Sequence, residues 1–284
     1  YFKILIKIMK LLIVGKNSRI TQFLKNYLSR KFILSIKNYS EIIERKSNYF
    51  SKFDFVINCS SNKQYVDSKY NSVYDHDYQI VKKLVKLKPY YIFLSTRKIY
   101  NPDNNCRETS RPKPKCNYSK NKLITENKLK SLIKKKLLIL RISNVIGINN
   151  IISKKKLHKT FIDIFLVNIR KGFIVENNKI YKDFISSKKL IQVMSKLITI
   201  KATGTYNLST GKKIYLNDII KWLNFYNKKP FKIINNRDFK FNKDSFYLNN
   251  KKVIEKTKIK IKISDLRNDC KRISKNYFIK IRQK

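Results

Sequence analysis

Residues 117–122, NYSKNK, place a tyrosine and a lysine four positions apart. On a helix such residues share a face, so the Lys122 ammonium lies near the Tyr118 phenol. A positive charge there favours phenolate and lowers a tyrosine pKa from about 10 toward working pH, where proton transfer is most efficient. The pair can therefore serve as an acid–base device on a substrate hydroxyl. Spacing alone does not select it. With 18 tyrosines and 66 lysines and arginines among 284 residues, roughly three or four Tyr-x-x-x-Lys matches arise by chance. The chain holds five: Tyr27/Lys31, Tyr65/Lys69, Tyr78/Lys82, Tyr118/Lys122 and Tyr247/Lys251. The surrounding elements have to choose among them.

Apolar runs of strand length alternate with helix-like segments through the first half. KLLIVG (10–15) reads as a buried strand, and RITQFLKNYL (19–28) has the helical spacing of Ile20, Phe23, Leu24 and Leu28. FILSI (32–36), FDFVINCSS (53–61), YYIFLST (90–96) and KLLILRISNVIG (136–147) follow as strands, with helices over 77–88 and 118–133. This alternation predicts an α/β fold, a doubly wound parallel sheet covered on both faces. Ligands of such sheets lie at the carboxyl ends of the strands. The polar clusters Gly15–Ser18, Asn58–Ser61, Ser95–Thr96 and Ser143–Asn144 all fall there, although loops at strand ends are polar in any case.

Beyond Gly147 the pattern changes. Helices over 158–171 and 187–199, the segment IYKDFI (180–185) and GTYNLSTGKKIYLNDIIKWL (204–223) read as a smaller mixed α/β domain. In the last of these a strand and turn precede a helix that Asn217 or Asp218 begins. The expected boundaries are 1–150 for the sheet domain and 151–284 for the second, with residues 180–200 returning to the first.

Composition narrows the function classes. Hydrophobic residues make up 42% of the chain, which argues against disorder, while the formal net charge is +48. Such a charge attracts polyanions. Lys, Asn, Ile, Tyr and Phe are all abundant, however, and the lysines run along the whole length, whereas a dedicated nucleic-acid site concentrates its charge. Composition bias is the better explanation, and no dedicated nucleic-acid site is expected. Cys59, Cys106, Cys116 and Cys270 form no C-x-x-C pair, which suits free thiols in a reducing cytosol rather than zinc. His76 and His158 read as packing or surface residues. Lys3, Lys7 and Lys10 interrupt the apolar amino terminus, so it is a poor signal peptide, and no later run approaches the ~18 apolar residues of a membrane span. Met9 reads as a natural start, with residues 1–8 as an upstream extension.

The order of motifs then carries more than any one of them. LLIVGKNSRI, DFVINCSS, IFLSTRKIY, ETSRPKPKCNYSKNKLITE, LLILRISNVIG, YKDFI and GTYNLSTGKKIYLNDII succeed one another over residues 10–265. The series resembles the extended short-chain dehydrogenase/reductase family, in particular the NAD-dependent epimerase/dehydratase and dehydrorhamnose-reductase-like nucleotide-sugar enzymes. The resemblance implies a Rossmann-type domain binding NAD or NADP, a nucleotide-sugar substrate and a homodimer. It picks Tyr118 and Lys122 from the five pairs, with Thr96 orienting the same substrate oxygen. By the same resemblance Gly15, Ser18, Arg19, Ile20, Asn58, Cys59 and Ser60 line the cofactor cleft, together with Tyr118 and Lys122. Asn144 faces the substrate or else caps a turn, and Lys182 meets the sugar-nucleotide phosphates or else is one more solvated lysine.

The sequence departs from that family in three places. Gly15 is kept, but Ser18 and Thr21 occupy the second and third positions of the expected G-x-x-G-x-x-G, so Thr21 is expected to hold the following helix farther from the sheet. ILSIKN has no acid for a ribose 2′-hydroxyl, and Lys37 suits a 2′-phosphate better, which tilts the expectation toward NADP. Arg97 and Lys98 stand where the family's dehydratases carry an acid, leaving reduction or epimerisation. Two other readings stay open: a non-catalytic member of the fold that binds a dinucleotide or sugar nucleotide, and a polyanion-binding protein.

Overall fold

The computed structural model describes residues 8–147, 161–176, 180–230, 232–235 and 245–279. Most of the upstream extension, His158 and the expected start of the 158–171 helix lie outside them.

The apolar runs of the first half form β1 (Lys10–Val14), β2 (Ile33–Lys37), β3 (Phe55–Asn58), β4 (Tyr90–Thr96) and β5 (Leu137–Ile142). Between them lie α1 (Arg19–Leu28), α2 (Tyr39–Ile43), α3 (Lys63–Asp67), α4 (His76–Leu84) and α5 (Asn117–Ile133). Leu11 to Val14 are all fully buried, as a strand covered on both faces demands. β1 pairs in parallel with β2 and β3, and β3 with β4, so Val14 aligns with both Lys37 and Asn58. A core of Val14, Val56, Val81, Phe93, Leu129 and Ile139 among others fills the space beneath the helices.

The chain then runs through β6 (Asn144–Ile146), α6 (Phe161–Lys171), β7 (Phe173–Glu176), β8 (Tyr181–Lys182), β9 (Phe184–Ser186) and α7 (Ser187–Thr199). It continues as β10 (Gly204–Leu208), β11 (Ile214–Tyr215), α8 (Leu216–Leu223), β12 (Lys232–Asn235), α9 (Lys251–Thr257) and α10 (Ile263–Phe278). The main sheet has the order β10-β5-β4-β3-β1-β2, so the doubly wound architecture expected from the alternation is the one observed.

One expected strand is two. KLLILRISNVIG breaks at Ser143, whose N–H donates to Leu208 O at 3.0 Å and whose hydroxyl donates to Asp183 O at 2.7 Å. The first bond still belongs to the edge strand β10, the second reaches Asp183 just ahead of β9, and beyond it β6 pairs with β9.

Two compact units result, one of Tyr1–Asn101, Arg111–Arg141 and Met194–Tyr206, the other of Pro102–Ser110, Ile142–Val193 and Asn207–Lys284. In the second unit α6, α8 and α10 bury Ile162, Leu166, Ile219, Ile220, Leu266 and Ile273 in a core of their own.

Candidate functional site

In the first unit, the loop after β1 turns at Gly15, which has φ +101°. Its N–H donates to Lys37 O at 2.7 Å, and its carbonyl accepts from Ser18 N–H at 3.1 Å and from the Thr21 hydroxyl at 2.7 Å. Thr21 is thus accommodated where a glycine was expected: it is buried, and its hydroxyl ties the first turn of α1 back to the loop. Ser18 caps α1, its Oγ accepting from Ile20 N–H at 3.2 Å. Arg19 opens the helix and no acid stands in its first turn, so no carboxylate of that turn offsets the partial positive charge of the helix end.

Asn58 is buried at the end of β3, where its Oδ1 accepts from the Ser60 N–H at 2.9 Å and the Ser60 hydroxyl at 2.7 Å. Cys59 N–H donates to Val14 O at 2.7 Å, and burial pushes its thiol up to about 12. Ser60 Oγ lies 2.9 Å from His76 Nδ1, and the His76 ring stacks on Tyr39 with centroids 3.5 Å apart. Beyond β2, Lys37 pairs with Glu41 at 3.4 Å, and Glu41 also accepts from Asn38 N–H at 2.6 Å. ILSIKN itself has no acid, but Glu41 of α2 reaches back to that strand end through Lys37 and Asn38.

Thr96 closes β4, its Oγ1 accepting from Lys98 N–H at 3.2 Å to start a 3-10 turn, Arg97–Ile99, against which α5 packs. Ser95 belongs to a different device. Its hydroxyl donates to Glu126 at 2.5 Å, and Glu126 receives Arg141 through two bonds of 3.1 and 2.7 Å. Arg141 in turn donates to the Tyr100 hydroxyl at 2.6 Å.

Cys116 caps α5, Tyr118 stands half-buried in the first turn, and Lys122 lies buried one turn later. Lys122 Nζ is 3.5 Å from Asp77 Oδ2, 4.5 Å from the Phe93 ring centroid and 5.6 Å from that of Tyr65. Burial works against its charge, but Asp77, Tyr118 and Asp75 outweigh burial and hold the ammonium above its ordinary value. Asp75 is also buried, accepting from the Thr125 hydroxyl at 2.6 Å, the Tyr70 hydroxyl at 2.9 Å and Tyr78 N–H at 3.0 Å. Burial and then Asp77 push its carboxyl up. Sequence reasoning missed both acids. In YDHDYQ, Asp75 caps α4, while nothing in the spacing sets Asp77 opposite Lys122.

Asn144 and Lys182 lie in the second unit. Asn144 Nδ2 donates to Asp183 O at 3.0 Å, so its amide is at least partly spent on the backbone. Lys182 is half-buried in β8, aligned with Ile214 of β11. Its neighbour Asp183 is fully buried and accepts from the backbone N–H groups of Thr210 at 3.0 Å, Gly211 at 3.2 Å and Leu248 at 3.0 Å. Burial pushes its carboxyl up to about 7 against the pull of those donors.

Among solved structures the chain matches a UDP-N-acetylglucosamine 4-epimerase from Methanobrevibacter ruminantium over 97% of its own length and 99% of the other, with TM-score 0.80 and 14% identity. The chain has the fold of that epimerase. RMD from Pseudomonas aeruginosa, complexed with NADPH, matches with TM-score 0.77 and 13% identity over 96% and 99%. A dTDP-4-dehydrorhamnose reductase from Clostridium acetobutylicum matches with TM-score 0.72 and 18% identity over 97% and 100%. No protein-family model and no curated protein matches the chain. Among the described residues no helix is long and apolar enough to cross a membrane.

Proposed function

We propose that the chain is an NAD(P)-dependent oxidoreductase or epimerase acting on a nucleotide-sugar, with Tyr118 as the acid–base residue at a sugar hydroxyl. The observation that carries this reading is the placement of Tyr118 and Lys122 on one face of α5, which packs on the turn that Thr96 starts, within a fold shared with nucleotide-sugar epimerases and reductases.

The residues present fit a dinucleotide. The α1 amino terminus with its Ser18 cap offers N–H and hydroxyl donors free of any local acid, which suits a pyrophosphate. Gly15 and the curl of Asn58, Cys59 and Ser60 bring two strand ends close together beside it. When bound, nicotinamide supplies the hydride chemistry. Thr96 orients the sugar oxygen, Tyr118 moves the proton at that oxygen, and Lys122 keeps a positive charge behind the phenol. Asn144 and Lys182 are assigned to the sugar nucleotide. Lys37 favours a 2′-phosphate and hence NADP, whereas its partner Glu41 favours the free hydroxyl of NAD.

Nicotinamide-fluorescence titration with NADH and NADPH at two salt concentrations tests the cofactor half. Saturable binding that survives the higher salt supports it, and its loss with modest salt supports polyanion binding instead. A nucleotide-sugar panel tests catalysis, with Tyr118→Phe expected to lower kcat by about 10²–10⁴. Binding without turnover supports the second reading, a non-catalytic nucleotide binder, which Ser18 and Thr21 in the glycine loop favour.

A further inference from the structure

Lys122 carries a charge into the interior, and two carboxylates lie close enough to influence it. They are not equivalent. Asp75 already accepts three hydrogen bonds, from Thr125, Tyr70 and the Tyr78 N–H, and none from Lys122. Asp77 has one oxygen held by the Tyr91 hydroxyl at 2.8 Å and turns the other to Lys122 Nζ. Phe93 and Tyr65 supply aromatic faces to the same ammonium but no counter-charge. A buried lysine without an anionic partner tends to give up its proton, and a neutral amine cannot support the Tyr118 phenolate.

We propose that Asp77 is a positioning residue for the Tyr118–Lys122 pair: anchored by Tyr91, its carboxylate fixes Lys122 Nζ and keeps it an ammonium. This rests on the reading of Tyr118 and Lys122 as the acid–base pair. The titratable groups facing Lys122 are Asp75, His76 and Asp77 at the start of α4, Tyr65 from α3, Cys59 beyond β3 and Tyr118 on α5 itself, while Tyr91 from β4 reaches it through Asp77. In the 3-10 turn, Lys98 acts on Cys116. Lys134 to Lys136, in the turn that follows α5, begin about 18 Å further along the helix axis.

The test is a pH titration of lysine ε-carbon NMR signals in folded protein, with Lys122 identified by its loss in Lys122→Arg. The Phe93 ring should move this signal away from those of the solvated lysines. Wild type is expected to titrate above an ordinary lysine, Asp77→Asn at least about one unit lower, and Asp77→Glu close to wild type. Asp75→Asn should move the midpoint less. If Asp77→Asn does not fold, Asp77→Ser carries the same expectation, since it still offers Tyr91 an acceptor. A midpoint unmoved by loss of the Asp77 charge overturns the proposal even if the variant is less stable, because a structural role alone lowers stability without moving that midpoint. Tyr118→Phe separates the two claims. It should lower the Lys122 midpoint too, and a midpoint that ignores it overturns the acid–base pairing itself.

Discussion

A side-chain carbon on Gly15 would come within 2.7 Å of the Ser60 backbone nitrogen and 2.9 Å of the Cys59 carbonyl carbon. Both are backbone atoms just past the end of β3, which lies beside the end of β1 that Gly15 follows, so neither can step aside cheaply. The left-handed φ of +101° adds strain for any L side chain. Gly15→Ala is therefore expected to cost about 2–4 kcal/mol in urea unfolding. A loss under half a kcal/mol would show that the two strand ends do not approach this closely.

The Glu126–Arg141 pair is buried, with side chains 0% and 4% exposed. Removing Arg141 leaves the buried Glu126 carboxylate with only Lys130 at 3.8 Å and the Ser95 hydroxyl. Arg141→Met should destabilise by about 3–5 kcal/mol, while the double change Glu126→Leu with Arg141→Met should recover much of that loss. Chemical denaturation of both proteins decides it, and additive losses would refute the pairing.

Burial holds His76 down to about 4, with Asp75 opposing and Lys122 assisting. A histidine ordinarily titrates near 6.5, so protonation favours the unfolded chain. The contribution is fully present above about pH 6.5 and is lost as pH falls toward 4. His76→Phe keeps a ring against Tyr39 but cannot titrate. Its stability relative to wild type should improve steadily between pH 7.5 and 4.5, and a pH-independent difference would count against a buried neutral imidazole.

The four thiols should differ in reactivity. Burial pushes Cys59 up to about 12 and Cys106 up to about 11, and raises Cys270 as well. Cys116 is exposed; burial acts upward on it too, but hydrogen bonds with Ser119 and the charge of Lys98 bring it below its ordinary value. Brief iodoacetamide treatment at neutral pH should label Cys116 first, as peptide mass spectrometry can read. Equal labelling of Cys59 would contradict the enclosure of its thiol.

Period and length made the sheet legible. YYIFLST and RITQFLKNYL fall on β4 and α1 to the residue, because their apolar patterns are uninterrupted. The five-residue helices α2 and α3 offer too few turns to show a period, and both went unseen. The break at Ser143 was hidden because β9, the strand that β6 turns to, lies far along the chain at Phe184–Ser186. The candidate site was legible where motif order reached it, at Gly15, Thr96, Tyr118 and Lys122. Its counter-charges were not. Glu126 has a helix partner in Lys130 at 3.8 Å, yet its bidentate partner is Arg141 on the adjacent strand, which no helix spacing reveals. Among 66 basic residues, the few that are buried and paired look like all the rest.

The sheet order also sets a timetable. β5 is buried along its whole length, and its outer neighbour β10 begins only at Gly204, long after β5 ends at Ile142. At ~5–20 residues per second of synthesis, the β5 edge waits roughly 3–12 s for its partner. During that interval a ladder of unpaired N–H and carbonyl groups lies open to other strands. Ribosome-bound chains arrested before and after β10 emerges should differ there, with chaperones crosslinking to residues 137–142 only in the shorter one. Nascent β5, rather than the finished surface, is where this chain stands in greatest need of protection.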